Sequence, residues 1–238
     1  MIVTSIDAEF YPALVALRNS VRMHSSCTPI ACLTYGDDDL ARKVEALGVE
    51  VRHNVDINAT LPPGERTAEG CKPMYARLLA PLLFGDCVWM DADQVVQTNM
   101  NELFALKFDE PLAAVQAERP IKDTVIGMDT PEGHSIYSGL MLFNAEVYKR
   151  ERVTERCMQL MEKPGVFWRF VVQSVLSVVL ADRFKRLDPR WQTFANRHYQ
   201  RISEGKVLHW HGRNRKPWTD PGMPNSEIWR GYYECTFS

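Results

Sequence analysis

Apolar positions in the first fifty residues alternate between two periods. Residues 2–5 are a short β-like run, and residues 11–24 place Leu14, Leu17 and Val21 at helical spacing. Residues 29–34 read as a second strand. Residues 38–47 read as a helix stopped by Gly48, and 49–52 as a third strand. This βαβαβ order predicts a parallel sheet with right-handed crossovers. Residues 54–71, with Pro62, Pro63, Gly64 and Gly70, read as a loop.

An alanine- and leucine-rich helix is predicted over 75–83. An apolar strand over 87–90 follows and runs into Asp91-Ala92-Asp93, with Val95-Val96 continuing in extended form. Residues 111–116 form another strand candidate. Residues 119–135 read as irregular, carrying Pro120, Gly127, Pro131 and Gly133. Residues 136–144 are strand-like around Ser138-Gly139, 147–161 and 167–181 read as helices, and 186–191 as a short extended piece. A last strand over 207–210 leads into a polar, proline-rich tail. No repeat or dividing linker is visible, so residues 1–238 are expected to form one α/β domain. Its nucleotide-binding part is expected over about 1–100, and its sugar and acceptor part over about 101–238.

With 45% hydrophobic and 24% charged residues, the chain has the composition of a globular protein. Its formal net charge of −2 supplies no overall positive field, so no nucleic-acid partner is expected. The opening MIVTSIDAEF lacks the basic start and apolar run of a secretory signal. The most apolar window, 167–180, is broken by Arg169, Gln173 and Ser174 and falls short of the ~20 apolar residues of a membrane span. A cytoplasmic protein without an integral membrane segment is expected. The cysteines are scattered without a CxxC pair, which suggests free thiols rather than a zinc knuckle or redox motif, with Cys87 a small buried residue.

The most chemistry lies in Asp91-Ala92-Asp93. Ligands of open parallel sheets bind beyond the C-terminal ends of strands, where this step falls. Two adjacent carboxylates repel, and a divalent cation relieves that repulsion. Oxygen ligands suit Mg²⁺ or Mn²⁺, which also bridge diphosphate oxygens. The plainer reading is a solvated turn or helix cap. A second cluster is Val207-Leu208-His209-Trp210-His211-Gly212, followed by Arg213, Arg215 and Lys216. His209 is a candidate third metal ligand, with His211 its rival. Gly212 allows a tight turn, and the cations suit a diphosphate. A structural histidine in a solvated basic loop is the alternative. Trp168, Trp191, Trp210 and Trp229 are candidates for stacking on a sugar or for core packing.

Taken as an ordered series, these pieces resemble the family 8 glycosyltransferases, the group of glycogenin and bacterial lipopolysaccharide galactosyl- and glucosyltransferases. Residues 2–7 are similar to the family's first strand. Tyr75-Ala76-Arg77-Leu78 is similar to its YxR helix, and Asp91-Ala92-Asp93 to its DxD step. Residues 137–144 are similar to its strand near the donor sugar, and residues 209–218 to its HxxGxxKPW segment. The resemblance implies a GT-A fold, a Rossmann-like α/β/α sandwich with a mainly parallel sheet. It implies hexosyl transfer from a nucleotide sugar, with UDP-glucose or UDP-galactose as donor, Mn²⁺ (or Mg²⁺) as cofactor, and retention. The acceptor, whether glycan, protein or small molecule, is not identified.

It also implies roles for single residues. Asp91, Asp93 and His209 hold the metal. Thr4, Ser5 and Asp7 meet the base and ribose. Arg77 reaches the diphosphate or sugar, with Ala92 and Gly212 at the donor. Lys216 or Arg215 meets the diphosphate, and Ser138, Gly139 and Gln173 line the sugar pocket. Apart from the resemblance, the position of Glu118 after a strand makes it a candidate contact to sugar hydroxyls or the acceptor, or else an exposed loop carboxylate, and composition alone makes 119–135 a candidate acceptor-side lid.

The sequence departs from the family pattern in three places. One extra residue separates Gly212 from Lys216, Tyr137 stands where the family has Asn, and both acids flanking Gln173 are absent. Those missing acids leave a retaining or inverting course open and keep a non-catalytic sugar-nucleotide binding module in view. A sugar-1-phosphate nucleotidyltransferase is the other alternative. It would want a Gly-rich basic loop where Ser5-Ile6-Asp7-Ala8-Glu9 stands. The family's basic or amphipathic tail past KPW is not matched in the residues after Trp218.

Overall fold

A computed structural model of the protein describes residues 1–55, 72–197, 201–212 and 215–236. In chain order the elements are β1 (Ile2–Ile6), α1 (Tyr11–His24), β2 (Ile30–Thr34), α2 (Asp38–Glu45), β3 (Glu50–His53), α3 (Lys72–Phe84) and β4 (Val88–Met90). Then come β5 (Gln94–Val96), α4 (Asn101–Phe104), β6 (Leu112–Pro120), β7 (Val125–Ile126), β8 (His134–Phe143), α5 (Ala145–Arg150) and α6 (Val153–Met161). The chain ends with β9 (Phe167–Trp168), α7 (Val172–Leu180), β10 (Lys185–Arg186), β11 (Thr193–Phe194), β12 (Val207–His209) and α8 (Ser226–Tyr233). The fold is mixed α/β with mainly parallel strands. The chain separates into two units, Met1–Asn54, Met90–Leu106 and Asp188–Ser238 in the first, Val55–Trp89 and Lys107–Leu187 in the second.

In the first unit the βαβαβ expectation holds. β1 pairs β2 in parallel from Ile2↔Ile30 to Ile6↔Thr34, and β2 pairs β3 in parallel from Ala31↔Glu50 to Thr34↔His53. α1 buries Leu14, Leu17 and Val21. α2 starts where the Asp37 carboxylate accepts from Leu40 N at 3.0 Å, with Asp38 and Asp39 in its first turn and Arg42 and Lys43 in its last, each sign suited to its end of the helix.

A separate three-stranded sheet runs β11-β12-β5. β12 lies antiparallel to β5, with His209 opposite Gln94, and parallel to β11, with His209 opposite Phe194. Val95, Leu208, Trp210 and Trp229 share a core cluster with Ala16 of α1. α8 is hidden in the sequence by its polar, proline-rich surroundings. Its C-terminal carbonyls are capped by buried Asn19, whose Nδ2 donates to Tyr232 O and Cys235 O, both at 2.9 Å.

In the second unit β6 pairs β8 antiparallel from Leu112↔Phe143 to Pro120↔His134, with register shifts on either side of Gln116, and β10 pairs β6 in parallel. α7 is tied to β8 by Ile136 N donating to Ser177 Oγ at 3.1 Å. Pro81 inside α3 has no N–H to donate to the helix ladder, and the Leu78 carbonyl of the same helix accepts from Thr154 Oγ1 at 2.7 Å.

Several expectations change here. The segment 119–135 is not wholly irregular: β6 continues to Pro120, a 3₁₀ turn covers Ile121–Thr124, and β7 pairs β9 through Val125↔Trp168 and Ile126↔Phe167. The helix expected over 147–161 is two helices, parted at Arg152 with φ +53°. The helix expected over 167–181 begins only at Val172, because Phe167 and Trp168 are claimed by the β7 ladder. Residues 189–192 form a 3₁₀ turn rather than an extended piece.

The expected loop over 54–71 lies, from residue 56 on, outside the described residues. Cys27, Cys32, Cys87, Cys157 and Cys235 are all free, and burial pushes the Cys87 thiol up to about 12. All four candidate tryptophans are buried as core. Among the described residues, no helix is long and apolar enough to cross a membrane.

Candidate metal and donor site

β4 ends at Met90, and the turn Asp91-Ala92-Asp93 leads directly into β5. Because β5 is the antiparallel partner of β12, this turn lies beside the end of the histidine strand. Trp210 N donates to Asp93 O at 3.1 Å and fixes the juxtaposition. His209 Nε2 lies 3.1 Å from Asp93 Oδ1 and 4.0 Å from Asp91 Oδ2. Asp91, Asp93 and His209 each offer a ligand atom, all within 4.8 Å of one another. Asp93 and His209 are buried and Asp91 is half-buried, so the cluster has an open side.

Lys216 completes it. The residue is 3% exposed, and its ammonium donates to Asp93 Oδ2 and to Trp210 O at 2.8 Å and sits 5.4 Å from the Phe10 ring centroid. Burial works to raise the Asp93 pKa, but the positive charge of Lys216 and the His209 contact outweigh it and hold this carboxyl well below the usual range. Arg215, the other candidate cation, is exposed and turns to Asp220, while Arg213 lies outside the described residues. Gly212 adopts φ +105°, which favours glycine. His211 points elsewhere: Arg197 Nε donates to its Nε2 at 3.3 Å, and its ring meets Phe194 edge-on at 4.6 Å. Burial, helped by His209 and Arg197, pulls the His211 pKa down to about 4.

The other sequence candidates of the first unit sit along β1 and just after it. Thr4 is fully buried, and its Oγ1 has no hydrogen-bond partner among the described residues. Ser5 is half-buried in β1. Asp7 caps the 3₁₀ turn Ala8–Phe10, accepting from Phe10 N at 3.3 Å.

In the second unit, Arg77 of α3 donates through Nη1 to Ser138 O at 2.9 Å and Ser138 Oγ at 2.7 Å, and through Nε to Met74 O at 2.9 Å. Gly139 is buried in β8. Gln173 is the second residue of α7 and half-buried, entered through Val171 at φ +39°, a strained value for a β-branched residue. Glu118 lies within β6, exposed, rather than after a strand. The sequence reading missed Gln94 and Gln192. Gln192 Nε2 lies 2.5 Å from His209 Nδ1, and Gln94 Nε2 donates to Gln192 Oε1 at 3.3 Å.

Residues 1–222 match the family model described as glycosyl transferase family 8. This chain belongs to that family. Among curated relatives, glycosyltransferase 8 domain-containing protein 2 of Mus musculus is 22% identical over 232 residues, covering 75% of this chain and 64% of its own length. The chain therefore spans less than two thirds of that relative. Among solved structures, the bifunctional glycosyltransferase WbbM superposes with TM-score 0.75 at 20% identity, over 99% of this chain and 49% of its own. The galactosyltransferase LgtC, solved in complex with donor and acceptor sugar analogs, gives 0.67 at 17% identity over 100% and 97%. The fold is the GT-A fold of these family 8 relatives.

The family implies a divalent cation, and the donor set fits one. An octahedral Mg²⁺-like ion with ligands at about 2.1 Å holds neighbouring ligand atoms about 3 Å apart and opposite ones about 4 Å apart. The Asp93–His209 and Asp91–His209 separations of 3.1 and 4.0 Å would let the three side chains share one such ion.

Proposed function

We propose that this chain is a metal-dependent glycosyltransferase that moves a hexose from a UDP-sugar, UDP-glucose or UDP-galactose, to an acceptor hydroxyl with retention. The observation that carries this is the joining of Asp91, Asp93 and His209 with buried Lys216 at the end of β4, in a family 8 chain. When bound, Mn²⁺ or Mg²⁺ supplies positive charge to the leaving diphosphate. Asp91, Asp93 and His209 hold that cation. Lys216, with Gly212 beside it, neutralises a diphosphate oxygen as negative charge develops there.

Thr4, Ser5 and Asp7 meet the base and ribose, and the orphaned Thr4 Oγ1 supports a polar ligand there. Arg77 orients the donor through the Ser138 region, while Ser138, Gly139 and Gln173 receive the hexose and Glu118 the acceptor. The acceptor oxygen forms its bond to the anomeric carbon on the face from which the diphosphate oxygen departs. The hydroxyl proton passes to that oxygen, so no protein nucleophile is needed. A cytoplasmic setting belongs to the same proposal, in keeping with the five free cysteines among the described residues.

The absence of the acids flanking Gln173 favours a second reading, a module that binds the nucleotide sugar without turning it over. The test follows UDP release from UDP-glucose and UDP-galactose, with and without Mn²⁺, in water and with simple sugars added. Mn²⁺-dependent release supports the transferase. Tight UDP binding with no release, hydrolysis included, supports the module. Undiminished release in EDTA contradicts the metal assignment.

A further inference from the structure

His209 is the end of a buried polar chain. Gln94 faces it across the β5–β12 ladder, and Gln192 reaches it from the 3₁₀ turn that precedes β11. Gln94 is 0% exposed and Gln192 4%. Burying two glutamine side chains is unfavourable unless their amides are engaged. Gln192 Nε2 sits 2.5 Å from His209 Nδ1, and Gln94 Nε2 sits 3.3 Å from Gln192 Oε1. On its other side, Gln94 Oε1 has no partner among the described residues, so nothing there holds that amide in one orientation.

An amide offers a donor at one corner and an acceptor at the other. With Gln192 Nε2 against Nδ1, the neutral imidazole carries its proton on Nε2 and donates it to Asp93 Oδ1, 3.1 Å away. That tautomer has no Nε2 lone pair for a cation. Half a turn of both amides places Gln192 Oε1 on a protonated Nδ1 and turns Gln192 Nε2 toward Gln94 Oε1. The Nε2 lone pair of His209 then faces the carboxylates. The heavy atoms barely move.

The geometry points to a two-glutamine relay, Gln94–Gln192–His209, that selects the histidine tautomer and couples it to cation binding. Gln192 is a positioning residue here, acting through His209, and Gln94 supports it. The inference rests on the metal reading of the same cluster.

The experiment uses the full chain. Nitrogen-15 NMR of labelled histidine reads the His209 tautomer before and after Mg²⁺. The expected change is from the Nε2–H form to the Nδ1–H form, and an unchanged tautomer on saturation overturns the relay. Electron paramagnetic resonance of free Mn²⁺ gives affinities for wild type, Gln192→Glu and Gln192→Leu. A glutamate can only accept at Nδ1–H, so Gln192→Glu is expected to bind Mn²⁺ at least as tightly as wild type. Gln192→Leu is expected to lose about 10- to 100-fold, and Gln94→Leu less.

A folded Gln192→Leu that binds Mn²⁺ within twofold of wild type overturns the relay and leaves the metal site standing. A wild type that binds no Mn²⁺ overturns both. If Gln192→Leu does not fold, a tenfold weaker Gln192→Glu overturns the relay by itself.

Discussion

Asp93 in the first unit and Gln173 in the second were both marked by the sequence, and their surroundings differ in kind. Asp93 is 6% exposed, compensated by Lys216 and His209, with its backbone carbonyl taken by Trp210 N. Gln173 is neutral and half-buried, one residue after a Val171 held at φ +39°. Charge is concentrated and balanced where a cation and diphosphate are proposed. Where the hexose is proposed, the structure stores backbone strain and presents an amide. A developing charge needs fixed opposite charges in a dry setting, whereas a neutral sugar needs hydrogen bonds in the right places. The two regions are therefore expected to fail differently when altered.

The largest effect is expected at the buried pair. Asp93→Ala leaves the Lys216 ammonium uncompensated, and a loss of about 3–5 kcal/mol is expected in denaturant unfolding. Lys216→Met leaves the carboxylate in the same position. The double variant is expected to cost less than either single change, and simple additivity would break the claim that these charges compensate each other.

Next is Asp91→Asn, at the open side of the cluster. Turnover is expected to fall about 10²- to 10³-fold, with the thermal midpoint close to wild type and Mn²⁺ affinity reduced. In the second unit, Val171→Gly is expected to stabilise by about 1–2 kcal/mol by relieving the strained positive-φ backbone, read in the denaturant midpoint. Smallest is Gln173→Ala, where removing one neutral hydrogen-bonding group is expected to cost about 1 kcal/mol in kcat/KM, under tenfold. A loss as large as that of Asp91→Asn would erase the contrast between the regions.

The parts legible in sequence were those set by local pattern. The β1-α1-β2-α2-β3 run follows from periodicity and from Gly48 at φ +73°. The Asp91-Ala92-Asp93 step could be read because an apolar run ends where the carboxylates begin. What stayed hidden depends on pairing between distant segments. Gln94 and Gln192 gain meaning only once β12 lies between β5 and β11, and no spacing announces that register.

The β7–β9 ribbon overrode a helical-looking stretch for the same reason. Arg152 broke a continuous apolar pattern with a positive φ that a non-glycine residue does not advertise. Of the two cations left open in sequence, Arg215 meets Asp220 and Lys216 meets Asp93.

The most direct test of the account is thermal unfolding of wild type and Asp91→Asn with UDP, UDP-glucose and UDP-galactose, each with and without Mn²⁺. At a hundredfold excess over its dissociation constant, a ligand specific to the folded state adds about 2.7 kcal/mol of stability. The account predicts a shift with wild type that requires UDP or a UDP-sugar and Mn²⁺ together, and its loss in Asp91→Asn. Equal shifts without Mn²⁺, or in Asp91→Asn, would contradict a metal–diphosphate site at Asp91, Asp93 and His209.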